Sequence, residues 1–88
     1  MFSNIGADLY QSWSEEQRRL EIEKLLQGYK SGVPIAIVCM TAEAIAGSRS
    51  AAKKHLGSLM NRAERQEAIA KAGEEKKEVR RLVRAVLS

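Results

Sequence analysis

Residues 34–46 read PIAIVCMTAEAIA and contain one charged side chain, that of Glu43. Pro34 suits the first position of a helix, and Gly47 suits the residue that follows its end. A helix that is apolar on every face is a buried helix, so we expect this segment to lie at the centre of the core. The competing interpretation is a strand over residues 33–40, because Val, Ile and Cys suit a pleated sheet. The sequence offers no second strand, so that alternative needs a partner strand from another copy.

The segment before it, residues 14–32, predicts an amphipathic helix. Ser14 and Gln17 have the spacing of a capping box, and Gly32 supplies a stop signal. Apolar side chains follow at the spacing of one helix face, and we expect them to point into the core: Ile22, Leu25, Leu26 and Tyr29.

Two further helices are predicted after Gly47. Residues 48–72 read as one long helix capped by Ser48 or Ser50, with a core stripe of Ala52, Leu56, Leu59, Ala63 and Ala70 and with Met60 at its edge. Gly73 ends that run, and residues 74–88 predict a last amphipathic helix. Its inward side chains are Val79, Leu82, Val83 and Val86.

These segments predict an all-α fold, a small bundle of about four helices in one domain over residues 1–88. Residues 1–12 have no clear pattern and are a candidate disordered leader. With 88 residues the chain buries only somewhat over ~60% of the surface that its unfolded form exposes. Short chains often bury leftover apolar surface by self-association, so we expect a homodimer.

Composition excludes several function classes. Cys39 is the only cysteine, so the chain forms no internal disulfide and no cysteine-based zinc site, and a lone buried thiol suits the reducing cytoplasm. His55 is the only histidine and reads as a surface or packing residue. No signal peptide or membrane-length apolar run is present. We therefore expect a cytoplasmic protein that is not an enzyme and has no metal, cofactor, small-molecule substrate or membrane partner.

The charges are distributed unevenly along the chain. Residues 1–47 carry four bases and six acids, whereas the residues after Gly47 carry eleven bases and five acids, a net charge of about −2 against about +6. A one-sided positive field attracts polyanions before any specific contact forms. The asymmetry therefore points to nucleic acid as the partner.

The stretch MTAEAIAGSRSAAKKHLGSL, residues 40–59, resembles the helix-turn-helix module of bacterial DNA-binding regulators. The likeness lies in a helix ending EAIA, then Gly47, a Ser-Arg-Ser cap, and a basic helix that closes on Leu. The resemblance implies that the serines bind phosphate and that Arg49, Lys53 and Lys54 reach base edges or clamp the backbone. The chain departs from the pattern because Ala46 directly precedes Gly47 and because a serine, rather than an apolar residue, follows it.

Two polar stripes are further candidates for a nucleic-acid surface. On the predicted long helix the stripe is Lys54, Ser58, Asn61 and Arg65, in which Asn and Arg suit base edges and Lys and Ser suit phosphate. On the last helix it is Lys77, Arg80, Arg81 and Arg84. The simpler interpretation of both stripes is a solvated outer face, and the second also suits docking onto an acidic protein groove.

Two functions from different classes follow. The first is a small DNA-binding regulator or accessory protein that uses the basic helices after Gly47. The second is an all-helical protein-protein interaction module, such as an inhibitor, adaptor or chaperone, that acts through the apolar residues 33–46. Its expected partner or dimer interface is formed by Ile35, Ile37, Val38, Met40 and Ile45.

Overall fold

A computed structural model describes residues 10–88, and the regular structure over those residues is entirely helical. Five α-helices follow in order: α1 (Glu15–Lys30), α2 (Ile35–Ala46), α3 (Arg49–Leu59), α4 (Arg62–Lys71) and α5 (Lys77–Leu87), with a 3₁₀ turn (Ala72–Glu74) before α5. The all-α prediction is confirmed. The alternative of a strand over residues 33–40 is wrong, because residues 35–40 form the first half of α2.

Helix α1 begins with the predicted capping box. The Ser14 hydroxyl accepts a hydrogen bond from the Gln17 backbone N–H at 3.1 Å, and the Gln17 side chain accepts one from the Ser14 N–H at 3.2 Å. The Arg18 guanidinium then donates to the carbonyls of Tyr10, Trp13 and Ala46 at 2.9, 3.3 and 3.0 Å. Ala46 is the last residue of α2, so this one side chain holds the start of α1 against the end of α2.

Helix α2 forms the centre of the core, as its composition predicts. Seven of its side chains are buried, and Gly47 ends it with a φ of +94°, a backbone conformation that disfavours side chains. Three residues predicted to contact a partner, Ile35, Val38 and Ile45, are among the buried seven. This corrects the expected interface, because a side chain inside the chain's own core cannot reach a partner.

The long third helix predicted over residues 48–72 is wrong, because two helices occupy that stretch. Met60 has extended backbone angles, and Asn61 caps α4: its side chain accepts from the Glu64 N–H at 2.8 Å, and the Glu64 carboxylate accepts from the Asn61 N–H at 2.9 Å. Residues 10–88 therefore contain five α-helices, where the sequence predicted about four.

The break also changes which side chains of α4 face the core. Ala63 and Ala70, predicted to be inward, are exposed, whereas Ala68 is buried. The chain turns at Met60, so the 100° register counted from α3 does not continue into α4. Met60 itself is buried, and it anchors the turn in the core.

We expect Asn61→Ala to lower the free energy of unfolding by about 1 kcal/mol, because loss of an N-cap side chain leaves helix N–H groups without a partner. Urea unfolding followed by circular dichroism measures the change. Gln66→Ala, at an exposed position inside the same helix, is the matched control and should alter stability by less than about 0.5 kcal/mol. Equal stability of the two variants would contradict the capping role of Asn61.

The single thiol, Cys39, is completely buried on α2, and burial raises its pKa to about 12. At pH 8 the folded protein therefore holds it as the unreactive thiol. We expect a disulfide reagent such as DTNB to label Cys39 only at the rate of unfolding, and to label it rapidly in urea. Since the ordinary pKa is 9.0, the unfolded chain loses this proton at lower pH than the folded one, so stability falls as pH rises from about 9 towards 12. Rapid labelling of the native protein would contradict this burial.

A candidate nucleic-acid interface

The basic side chains of α5 occupy one face of that helix. Lys77, Arg80, Arg81 and Arg84 are all exposed, and together they line a shallow groove of about 290 Å³. The opposite face holds the buried side chains Leu82, Val83, Val86 and Leu87. The 3.6-residue period separates the two sets, so burial of the apolar face in the core fixes the cationic face outward.

The four cations of α5, which we call the α5 cationic face, have no ion-pair partner among residues 10–88. No carboxylate lines their groove. Elsewhere on the described surface some bases are paired with neighbouring acids, as in Arg19 with Glu23 at 3.3 Å and Lys71 with Glu67 at 3.5 Å. Other exposed bases also make no ion pair among residues 10–88, but they do not line one groove together: Lys30, Lys53, Lys54, Arg62 and Lys76. The positive charge of the α5 cationic face is therefore available to a ligand.

The three cations on the first turns of α3 differ in whether they form an ion pair. Arg49 donates to the Glu43 carboxylate of α2 at 2.9 Å, and this ion pair bridges the turn at Gly47. Lys53 and Lys54 are exposed and make no ion pair among the described residues. Two of the three cations that the helix-turn-helix resemblance indicated are thus available, and the third is engaged within the chain.

The serines before α3 also have local roles. The Ser48 hydroxyl accepts from the Ala51 N–H at 3.1 Å and lies 3.3 Å from the Ser50 hydroxyl. Ser48 is therefore the N-cap of α3, the role that its position predicts. Its hydroxyl oxygen satisfies a backbone donor of the helix.

The predicted stripe of Lys54, Ser58, Asn61 and Arg65 is not the face of one helix, because the chain turns between its second and third members. Ser58 donates to the His55 carbonyl at 2.9 Å, and Asn61 caps α4. Arg65 donates to the carbonyls of Gly57 and Met60 at 3.2 and 2.9 Å. Asn61 and Arg65 therefore hold the α3–α4 corner together, Ser58 bonds within α3, and of the four only the Lys54 side chain has no partner among residues 10–88.

A second small groove connects α3 and α4 to the end of α5. Lys53, Gly57 and Arg65 line it together with the last residues of α5, and its volume is about 190 Å³. The carbonyl end of a helix carries partial negative charge, so these two cations stabilise it. Their placement also puts Lys53 beside the end of the helix that bears the α5 cationic face.

The exposed apolar side chains form a separate feature. Val33, Ile37 and Met40 follow one another at helical spacing on and just before α2, and Leu20 is exposed on α1. Ile37 and Met40 are thus the accessible members of the predicted partner interface. The sequence pattern did not mark Val33 or Leu20 individually as interface residues, because an apolar side chain at either position does not change the predicted helices.

A groove of about 470 Å³ lies between α1 and the α3–α4 corner. Leu26 and Met60 are buried beneath it, and the Lys71 ammonium lies 5.4 Å above the Tyr29 ring. Tyr29 and then Glu67 raise the pKa of Lys71, so the ammonium is held in its charged form. The ammonium group and the tyrosine ring therefore form a cation–π contact between two helices. No local sequence pattern predicts this contact.

The fold and surface define the class: an all-helical protein whose last helix presents an unpaired cationic face. Comparison with protein-family models, curated proteins and solved structures finds no match. Within residues 10–88 no group of three or more His, Cys, Asp or Glu side chains is placed to hold a metal ion. No single helix of the described chain has the length and apolar character needed to cross a membrane.

Proposed function

We propose that this protein binds duplex DNA through the α5 cationic face, as a small regulator or accessory factor. The observation that carries the proposal is the groove lined by Lys77, Arg80, Arg81 and Arg84, none of which forms an ion pair among residues 10–88. Phosphate contacts from Lys and Arg supply most of the affinity of non-specific DNA binding. They require cations that can exchange their hydration for a contact with phosphate. A cation already paired with a carboxylate gains less from that exchange.

The dimensions of the α5 cationic face suit a phosphate backbone. At 1.5 Å per residue, Lys77 and Arg84 are about 10 Å apart along the helix axis. One DNA strand places a phosphate every ~3.4 Å of duplex axis, so a helix lying along that axis spans roughly three intervals, that is about four phosphates, one for each cation. Lys53 lies near the last residues of α5 and is a further exposed cation of α3.

Helices α2 and α3 add support from the helix-turn-helix resemblance. Their axes are bent by 116° at the two-residue joint of Gly47 and Ser48. Helix-turn-helix motifs place their two helices at ~90–120°. In the proposed complex the exposed Lys53 and Lys54 of α3 supply further contacts to the DNA backbone.

The proposal is tested by measuring affinity for a duplex of random sequence at graded salt. We expect the logarithm of the association constant to fall linearly with the logarithm of salt concentration, by about 0.9 per phosphate neutralised. Arg81→Gln should reduce that slope by about one unit. Lys30→Gln removes an exposed cation on α1 and is the matched control, for which the slope should stay unchanged. Undetectable binding at about 50 mM salt, where such contacts are strong, would end the proposal.

The second candidate function, an interaction module, is favoured by the apolar stripe of Val33, Ile37 and Met40. Each of these side chains is less than half exposed, at 38%, 47% and 44%. Three such side chains cannot supply the ~800 Å² per partner of a standard interface, so a partner or a second copy would also have to cover polar surface around them. This requirement makes the second candidate the weaker one.

Light scattering tests the same stripe as a homodimer contact. If self-association involves it, the double variant Ile37→Ser and Met40→Ser should lower the measured mass from dimer to monomer and leave the salt dependence of DNA binding unchanged. A wild-type protein that stays monomeric at high micromolar concentration would exclude this dimer.

A further inference from the structure

We infer that DNA binding by this protein does not depend on base sequence, because the side chains suited to reading bases are either engaged inside the fold or held in place by no contact among residues 10–88. This inference rests on the proposed function and specifies its substrate as duplex DNA of any sequence. It concerns how the side chains of α3, α4 and α5 divide between internal contacts and solvent.

Direct recognition of a base pair needs a side chain that is free to form two hydrogen bonds with a base edge, usually Asn or Gln with adenine and Arg with guanine. On the basic side of the molecule the Asn61 side chain caps α4, and the Arg65 guanidinium binds the Gly57 and Met60 carbonyls. Arg49 is paired with Glu43. Freeing any of them would cost the protein a helix cap, a corner contact or an interhelical ion pair.

The cations that remain free suit phosphate. Lys53, Lys54 and Lys77 carry ammonium groups, which act as point charges and have no planar fork to match a base edge. The arginines of the α5 cationic face are exposed, as are Arg62 and Gln66 of α4. Among residues 10–88 the arginine side chains that form hydrogen bonds are those of Arg18, Arg49 and Arg65, so no such contact holds Arg62 or the arginines of α5 in one geometry. Specific recognition depends on such supporting contacts. In the described part of this protein they are made by Arg49 and Arg65, which are bound within the fold.

The exposed face of α5 is also uniform in chemistry. Between Lys77 and Ser88 it contains no Asn, Gln or Thr, and its other exposed residues are Glu78 and Ala85. A surface of this composition contacts the backbone at every position of a duplex with similar energy, because phosphate geometry varies little with sequence.

The experiment is a competition assay with duplexes of equal length and different sequence, including A·T-rich, G·C-rich and mixed duplexes, at one salt concentration. We expect the dissociation constants to agree within about threefold, since specific binders prefer their site by 10³-fold or more. A duplex selected from a random pool that binds about 100-fold more tightly than its competitors would overturn the inference and leave the proposed function standing. Failure to bind any duplex at about 50 mM salt would overturn both.

A pair of variants tests the reason behind the inference. Asn61→Ser keeps an N-cap oxygen acceptor and removes the amide that adenine recognition requires, and Arg49→Lys keeps the charge near Glu43 and removes the planar fork. Both variants should bind all the duplexes with dissociation constants that agree within about threefold, as the wild type does. A preference of the wild type for one duplex that is lost in either variant would show that the replaced side chain reads bases, and the inference would then be wrong.

Discussion

Simultaneous replacement of the four cations of α5, as Lys77→Gln, Arg80→Gln, Arg81→Gln and Arg84→Gln, is expected to remove most of the DNA affinity of this protein. Four lost phosphate contacts correspond to a decrease of about 3.6 in the slope of log affinity against log salt, and to a loss of 10²-fold or more in affinity near 50 mM salt. The measurement is fluorescence anisotropy on a random duplex over a salt series.

The fold should tolerate these four changes. All four side chains are exposed, they form no ion pair among the described residues, and Gln has a good helix propensity. The helix stays anchored by its buried face of Leu82, Val83, Val86 and Leu87. Circular dichroism and the urea midpoint should therefore match those of the wild type, which separates loss of binding from loss of structure.

The matched control removes the same amount of charge from another part of the surface. Arg19→Gln, Lys24→Gln, Lys30→Gln and Lys71→Gln together also lower the net charge by four, and three of these cations are paired with glutamates. Exposed ion pairs contribute ~0–1 kcal/mol, so the control should fold. It should keep most of the salt slope. Equal losses in both variants would show that overall charge, and not the α5 cationic face, governs binding.

The second large effect is expected for Leu56→Ala, which should lower the free energy of unfolding by about 2–5 kcal/mol. Leu56 is completely buried on α3 and belongs to the single core cluster that also includes Ile22 of α1, Val38 of α2 and Val86 of α5. Truncation there removes apolar contacts from several helices at once and leaves a cavity. A chain this short has a total stability of roughly 5 kcal/mol, so the variant should keep only about 0–3 kcal/mol and unfold at a much lower temperature and urea concentration than the wild type.

Lys54→Ala is the control for Leu56→Ala, because it truncates an exposed side chain on the same helix and improves helix propensity slightly. We expect its stability to lie within about 0.5 kcal/mol of the wild type. Thermal and urea unfolding of both variants give the comparison. A loss below about 1 kcal/mol for Leu56→Ala would mean that the core around α3 is much looser than its burial indicates.

The parts of the fold that depend on helix caps and on the helical period were predicted correctly from the sequence. The Ser14 and Gln17 capping box, the helix between Pro34 and Gly47, and the alternation of buried and exposed side chains along α5 are all present in the structure. Caps act over three or four residues, and a helix period repeats every 3.6, so both are visible in a short window of sequence. The exposed position of the α5 cationic face follows from the same period.

The turn between α3 and α4 was not predicted from the sequence. Asn61 and Glu64 have capping-box spacing, yet continuous apolar periodicity across Met60 favoured one long helix. Two helical continuations compete at that point, and the buried position of Met60 together with the Arg65 bonds to Gly57 and Met60 selects the turn. Those contacts join separate helices, so a window along the sequence does not contain them.

The sequence by itself determined the helical class, the buried second helix and the outward charge of α5, because each follows from periodicity and capping within one segment. Only the tertiary structure decided which polar side chains are free. Packing brings Arg49 to Glu43, Arg18 to Ala46 and Arg65 to the end of α3, and it leaves the α5 cationic face without an ion pair among residues 10–88. Charge availability depends on distances between helices, and the order of residues along the chain does not specify those distances.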